Sequence, residues 1–121
     1  MVTARDLAVT LFSHPTGPTV LTVAGELDFH TTPRLRATVE EIRLEAGSEL
    51  VIDLSGLTYC DSTGIPVFVA AYHRAQAAGA ALAFAGLNPD LTRVFGIVGL
   101  DQILSLHPTL EAAVAAVRSG G

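Results

Sequence analysis

The chain has 121 residues, half of them apolar, which suits one compact domain with a sizeable core. Its formal net charge of −5 disfavours nucleic acids and anionic membranes as partners. All seven basic residues are arginine, so P-loop lysines, Schiff-base lysines and lysine general bases are excluded. The lone cysteine, Cys60, excludes an internal disulfide and any CxxC metal or redox motif.

No part of the sequence has the pattern of a targeting or membrane segment. The first residues lack the basic region and the long apolar run of a signal peptide. No stretch approaches the roughly 18 uninterrupted apolar residues that a membrane helix needs. We therefore expect a soluble, cytoplasmic protein, with a monomer as the default.

The first part of the chain predicts a hairpin followed by an amphipathic helix. Residues 7–12 and 19–24 flank a turn rich in proline and glycine, so we expect two antiparallel strands, after which residues 25–28 leave the sheet. Thr31-Thr32-Pro33 predicts a helix start with proline in the first helical position. Gly47 predicts the helix end. The expected buried face consists of Leu35, Val39, Ile42 and Ala46.

The stretch from Leu50 to Gly64 predicts a buried strand, a corner and a helix start. The strand is apolar and β-branched and is expected to end at Ser55-Gly56. Asp61, Ser62 and Thr63 are all good N-cap residues and precede a long apolar helical pattern. Proline has no N–H, so Pro66 loses no hydrogen bond if Thr63 is the N-cap and Pro66 is the third helical residue. We therefore expect Thr63 to cap the helix and Ser62 to lie just outside it, with the freer hydroxyl.

The rest of the chain continues the alternation of helices and strands. The predicted elements are a helix over residues 64–78, a strand over 81–85, a helix from Asn88-Pro89 to Gly99, a strand over 103–106 and a helix capped by Thr109. The order β-β-α-β-α-β-α-β-α predicts an α/β fold, with a mostly parallel sheet of about five strands and four helices in a single domain. Residues 119–121 are expected to fray.

The corner at residues 61–64 has the chemistry of a switch. A phosphate on a hydroxyl there adds roughly −1.5 to −2 charges at pH 7. Unpaired N–H groups at a helix N-terminus favour such a charge. A surface docked over the corner would then meet new charge and bulk, while the fold itself stays intact.

Four segments of the chain resemble the STAS domain family, and more narrowly its stand-alone anti-sigma factor antagonists. The segments are Gly25-Glu26-Leu27-Asp28, Asp53-Leu54-Ser55, Cys60-Asp61-Ser62-Thr63-Gly64 and Phe95-Gly96-Ile97-Val98-Gly99-Leu100. The order of elements and the chain length are also similar, so the resemblance covers nearly the whole chain. One departure is Gly64-Ile65-Pro66, where the family usually has Gly-Leu-Gly, and this proline stiffens the helix start.

The resemblance implies a bacterial phosphoprotein that regulates transcription by switching partners. In such proteins the unphosphorylated form binds an anti-sigma factor serine kinase and releases a sigma factor, and a PP2C-type phosphatase restores this form. Carried over to this chain, the acceptor is Ser62 (less favoured, Thr63), and Asp28 is the acidic residue of the flanking loop. The expected partner-binding residues are Asp28, Asp61, Ser62, Thr63, Gly64 and Ile65, and neither a cofactor nor a metal is expected.

Other interpretations of these residues remain open. Residues 61–64 alone are typical of a capped helix start, Asp28 of an Asx-turn, and Asp53 of a turn-forming carboxylate. A hydrolase would need a histidine oriented towards Ser62 and a Gly-x-Ser-x-Gly elbow, and the sequence has no such elbow. Two further alternatives keep the STAS fold: a module that binds a nucleotide or small ligand at the strand ends, and a scaffold partner that is never phosphorylated.

Overall fold

The computed structural model describes residues 6–119 of the chain. Five strands and four helices follow in the predicted order, with one short 3₁₀ helix, Leu100–Gln102, after the third α-helix. The strands are β1 (Leu7–Ser13), β2 (Thr19–Leu27), β3 (Glu49–Cys60), β4 (Ala81–Ala85) and β5 (Leu106–His107). The helices are α1 (Thr32–Glu41), α2 (Ile65–Ala78), α3 (Pro89–Ile97) and α4 (Leu110–Arg118).

The strands form one sheet in the order β1-β2-β3-β4-β5. Strands β1 and β2 are antiparallel, whereas every later neighbouring pair is parallel. Successive side chains of a strand point to opposite faces, and the core follows this alternation. Leu50, Ile52 and Leu54 pack with α1, α2 and α3, whereas Val51 packs with α4 on the other face. Because β2 and β3 are parallel, their carboxyl ends meet at one edge of the sheet, beside the start of α2.

Strands β2 and β3 are longer than the sequence predicted. Residues 25–27 stay in the sheet, and β3 continues past Ser55-Gly56 to Cys60, where it pairs with Leu27. The pairing contains two irregularities, and Gly56 lies so close to Ala24 that a Cβ at residue 56 would be 2.7 Å from the Ala24 Cβ. Glycine here permits close strand contact, so it does not end the strand. The predicted strand ends, at residue 24 for β2 and at Ser55-Gly56 for β3, are therefore wrong.

Three other boundaries also differ from the prediction. Helix α1 begins at Thr32 and ends at Glu41, because Ile42 takes an extended conformation (ψ 124°) and so buries its side chain without continuing the helix. Ala46 is exposed and belongs to the following loop. The last strand comprises only Leu106 and His107, because residues 103–105 lie between the 3₁₀ helix and this strand and belong to neither. Helix α3 ends at Ile97 instead of continuing to Gly99, and its C-cap residue Val98 is 55% exposed.

Several other predicted boundaries are confirmed. Strand β4 and the end of α2 at Ala78 are as predicted, and Gly79 follows α2 in the left-handed region (φ 76°). Side chains cap two helices: Asn88 accepts a hydrogen bond from the Leu91 N–H, and Thr109 accepts one from the Ala112 N–H. Of the predicted frayed end, Ser119 is the C-cap residue of α4, and residues 120–121 lie outside the described range.

Candidate functional site

The corner between β3 and α2 is held together by Asp61. Its backbone N–H donates to the Leu27 carbonyl (3.0 Å), and its carbonyl accepts from the Gly64 N–H (3.1 Å). Its carboxylate accepts hydrogen bonds from the Thr63 N–H (2.8 Å) and from the Thr63 hydroxyl. The Thr63 hydroxyl also lies 3.4 Å from the Thr32 hydroxyl at the start of α1. Asp61 and Thr63 thus connect the ends of β2 and β3 to two helix starts.

Ser62 differs from its neighbours in the corner. The residue is exposed, and within residues 6–119 its hydroxyl makes no hydrogen bond to another group. Asp61 and Thr63 are half-buried, and their side chains bond to each other. Two adjacent hydroxyls therefore have different environments: that of Thr63 is held in place, and that of Ser62 points to no partner in the fold.

The N-cap of α2 is Gly64, one residue later than expected, and no side chain caps this helix. Pro66 is therefore the second helical residue rather than the third, a position where the missing N–H again costs nothing. The prediction that Thr63 is the N-cap is wrong, because its hydroxyl is bonded to Asp61. The Gly64 N–H donates to the Asp61 carbonyl, and the Val67 N–H donates to the Gly64 carbonyl. Fewer amides are therefore available at this helix start than a typical N-terminus offers.

Asp28 organises the neighbouring loop from inside. Asp28 is only 3% exposed. Its carboxylate accepts hydrogen bonds from the His30 N–H (2.9 Å), the Thr31 N–H (3.0 Å) and the Thr31 hydroxyl (3.2 Å). This is the Asx-turn that the sequence allowed as an alternative. Asp28 therefore fixes the shape of the surface beside the corner, while the residues after it form that surface.

The pKa values of two groups at the corner are shifted in opposite directions from their ordinary values. Hydrogen bonding from the Thr63 side chain holds the pKa of Asp61 below its ordinary value, and the backbone of Phe29 contributes in the same direction. Burial, with a smaller contribution from the charge of Asp61, raises the pKa of the Cys60 thiol to about 12. Asp61 is thus a stable carboxylate and Cys60 a protonated thiol packed against the core, and only the thiolate is a reactive nucleophile.

The remaining predicted residues divide into buried and exposed groups. Leu54 and Leu57 are core residues, Ile65 is half-buried, and Tyr59 is 45% exposed. Asp53 lies inside β3 rather than at its end, and its carboxylate accepts hydrogen bonds from the Ser55 N–H (3.0 Å) and hydroxyl (2.8 Å). In the described part of the chain, no three His, Cys, Asp or Glu side chains are grouped to hold a metal ion.

The sequence is similar to one protein family and to several known proteins. The STAS domain profile matches residues 12–113. The chain belongs to the STAS domain family. An anti-sigma-B factor antagonist from Listeria monocytogenes is 38% identical over 84 residues, which are 69% of this chain and 74% of the relative. The corresponding Bacillus subtilis protein is 35% identical over 92 residues, covering 76% and 84%.

Solved structures agree with the family assignment. The crystal structure of an anti-sigma factor antagonist from Mycobacterium paratuberculosis has a TM-score of 0.84 and 29% identity, covering 93% of this chain and 95% of that chain. The names of these relatives describe regulators, in agreement with the prediction that the chain is not an enzyme. Within residues 6–119, no helix is both long and apolar enough to cross a membrane.

Sequence reasoning missed one feature of this STAS domain. Phe29, directly after Asp28, is 71% exposed, and its ring contacts the His30 ring edge-on with 5.6 Å between centroids. Thr31 and Thr32 are buried in the loop and helix start next to it. An apolar residue inside an otherwise polar loop was the only available signal. The sequence does not distinguish a loop aromatic that packs inwards from one that faces solvent.

Proposed function

We propose that this STAS domain is an anti-sigma factor antagonist whose affinity for its partner is controlled at Ser62. In the unphosphorylated state it binds a cognate anti-sigma factor, a serine kinase, and thereby releases a sigma factor. Phosphorylation of Ser62 by that kinase ends the binding, and a PP2C-type phosphatase restores it. The partner-binding surface surrounds Ser62. It consists of the loop that Asp28 organises and of Asp61, Thr63, Gly64 and Ile65.

The observation that carries the proposal is the contrast between the two adjacent hydroxyls. Ser62 is exposed and bonded to no described group, so a kinase reaches it without breaking a native contact. The Thr63 hydroxyl is occupied by Asp61, and a phosphate there would disrupt the corner. Ser62 is therefore the acceptor, and Thr63 keeps the corner in shape.

The electrostatics of the corner support a repulsive switch. A phosphate on Ser62 adds roughly −1.5 to −2 charges next to the ionised Asp61 of a chain whose net charge is already −5. Like charge brought into a docked interface costs several kcal/mol, and each 1.4 kcal/mol is about tenfold in affinity. A loss of about 100-fold or more in affinity is expected.

The test measures binding to each anti-sigma factor encoded in the same genome as this chain. Wild type and Ser62→Ala should bind one of them with similar affinity, and Ser62→Asp should bind at least about tenfold more weakly, since aspartate has less charge than phosphate. Ser13→Asp is the matched control, because Ser13 is exposed at the end of β1, opposite Thr19. It lies roughly 25 Å along the strands from the corner.

The same partner incubated with ATP should add one phosphate, about 80 Da, to wild type and none to Ser62→Ala. Equal affinity of Ser62→Ala and Ser62→Asp would refute the gate. Binding without any mass increase would favour the scaffold alternative, in which no phosphate cycle operates. Failure of wild type to bind any of these anti-sigma factors would refute the proposed function itself.

A further inference from the structure

Phe29 is an unusual exposed residue because hydrogen bonds hold the backbone of the loop that carries it. It is the most exposed of the aromatic side chains in residues 6–119, at 71%, and it lies in the Asp28 loop beside the corner. An isolated exposed apolar residue is ordinary on a protein surface. Two observations separate Phe29 from that ordinary case: the hydrogen bonds that fix its backbone, and its connection to the Ser62 corner.

The hydrogen bonds around Phe29 enclose it on both sides. The Asp28 N–H donates to the Thr31 hydroxyl (2.9 Å), which itself donates to the Glu26 carbonyl (2.8 Å). On the other side, the Asp28 carboxylate accepts from the backbone of His30 and Thr31. The loop therefore has little freedom to turn the ring inwards, although no bond in this network uses the Phe29 side chain.

The loop is also joined to the corner that contains Ser62. The backbone of Phe29 contributes to lowering the Asp61 pKa, which places its amide next to that carboxylate. The Asp61 N–H donates to the Leu27 carbonyl (3.0 Å), and Thr32 contacts Thr63. The exposed aromatic ring therefore belongs to a loop that is hydrogen-bonded to the corner that carries the proposed acceptor, Ser62.

We propose that Phe29 is the apolar anchor of the Ser62 interface and inserts into an apolar pocket of the anti-sigma factor, an inference that rests on the proposed function. Aromatic side chains dominate the energy of protein interfaces when they enter a desolvated pocket. Because hydrogen bonds already hold the backbone of this loop, little backbone entropy is lost when the ring is bound, which adds to the affinity.

The charge around Phe29 specifies the rim of the partner pocket. Asp61 lies beside it and remains ionised, and the chain as a whole is acidic. A polar rim of complementary charge commonly surrounds an apolar interface centre. The partner surface should therefore be an apolar pocket whose rim donates hydrogen bonds to Asp61 and carries no arginine or lysine opposite Ser62, so that a phosphate there meets no compensating charge. Phosphate on Ser62 would sit at that border, where it replaces a hydroxyl by a charged group of larger size.

The experiment measures the affinity of the cognate anti-sigma factor for Phe29→Ala, Phe29→Leu and Phe12→Ala by titration calorimetry. Phe12→Ala is the matched control: Phe12 is 43% exposed and pairs with Val20, at the end of the sheet away from Ser62. We expect Phe29→Ala to bind at least about tenfold more weakly, Phe29→Leu to recover part of this loss, and Phe12→Ala to bind within about twofold of wild type.

Thermal unfolding of each variant accompanies the titrations and should match wild type for Phe29→Ala, since its ring holds no part of the loop network. If Phe29→Ala binds as wild type does while Ser62→Asp binds weakly, the anchor is refuted and the switch at Ser62 stands. If Ser62→Asp also binds as wild type does, the gate at Ser62 is refuted as well, whereas the proposed function fails only if wild type does not bind. An equal loss in Phe29→Ala and Phe12→Ala would likewise overturn a specific role for Phe29.

Discussion

Replacing Gly64 by alanine tests why glycine follows the Asp-Ser-Thr sequence. The Gly64 backbone is ordinary (φ −83°), so glycine is not needed there for its conformational freedom. A Cβ at this position would lie 2.4 Å from the Leu27 Cδ2, 2.8 Å from the Leu27 Cγ and 3.2 Å from the Cys60 sulfur. Leu27 is fully buried, and both of its contacts are closer than side-chain atoms approach a Cβ in folded proteins. Gly64 is therefore required because α2 begins in direct contact with the core.

Three energetic effects of Gly64→Ala can be compared. Forcing an extra methyl group into a packed core costs about 1–3 kcal/mol. Alanine is also a poorer N-cap than glycine, by roughly 0.5 kcal/mol or more. Against these, alanine lowers the entropy of the unfolded chain and stabilises by about 0.4–1 kcal/mol. The last two nearly cancel, so the free energy of unfolding should fall by about 1–3 kcal/mol, mostly from the contact with Leu27.

Urea unfolding followed by circular dichroism measures this loss, with Gly96→Ala as the matched control. Gly96 is exposed in α3, and a Cβ there meets nothing closer than the Asp101 carboxylate oxygen at 3.6 Å. This second substitution should therefore be neutral or stabilise by up to about 1 kcal/mol, through helix propensity and the unfolded state. The two glycine substitutions are expected to have opposite signs.

The Leu27 contact itself is tested by a double-mutant cycle. Leu27→Ala removes the atoms that the new methyl group would meet, so Gly64→Ala should cost at least about 1 kcal/mol less in that background. The steric explanation is refuted if Gly64→Ala costs as much with alanine at residue 27 as with leucine. It also fails if Gly64→Ala alone leaves the free energy of unfolding unchanged.

Two further predictions concern the shifted groups at the corner. Because the pKa of Asp61 is lowered in the fold, its contribution to stability is complete above the unfolded-state value, about 3.9, and is lost as the pH falls through the folded-state pKa. The stability difference between wild type and Asp61→Asn should therefore be constant from pH 7 to 5 and move against wild type below about pH 4, as measured by urea unfolding; a difference that grows in favour of wild type on acidification would contradict this. Because the pKa of Cys60 is raised to about 12, its thiol should react with iodoacetamide at pH 8 at least about 100-fold more slowly in the folded protein than in urea, and equal labelling rates by mass spectrometry would contradict the burial argument.

The elements that were predicted correctly are those specified by short-range signals. Helix α2 ends where Gly79 follows an alanine-rich run, and α4 begins where the Thr109 side chain accepts a hydrogen bond from the Ala112 N–H. Strand β4 is a five-residue apolar segment followed by a glycine. In each case the chain within about four residues contains both the periodicity and the residue that ends it, so no distant contact is needed.

The boundaries that were wrong depend on residues far apart in the sequence. Strand β3 passes through Ser55-Gly56 because β2 continues to pair with it as far as Leu27 and Cys60. The turn residues would favour an ending, but the ladder hydrogen bonds and the burial of Leu57 outweigh that local preference. At α1, the buried Ile42 side chain is compatible with an extended backbone, which spacing alone does not reveal.

The corner was predicted better than the residue that caps it. Placing the helix start at Thr63 or at Gly64 leaves Ser62 outside the helix in either case, so the expected exposure did not depend on the correct cap. The difference appears at Thr63, whose hydroxyl serves Asp61 instead of the helix. A sequence contains the three polar side chains, but which of them bond to each other depends on the angle at which β3 meets α2.

This arrangement determines where a negative charge on Ser62 would act. Among residues 64–67, two N–H groups donate within the corner and Pro66 has none, which leaves the Ile65 N–H as the amide without a partner in the described chain. The adjacent Asp61 carboxylate is ionised and repels a second anion. The fold therefore offers a phosphate little neutralisation of its own, so most of the added charge would remain directed at solvent or at a docked protein. A stable fold and a sensitive surface are compatible here because Thr63 and Asp61 maintain the corner and Ser62 has no structural task.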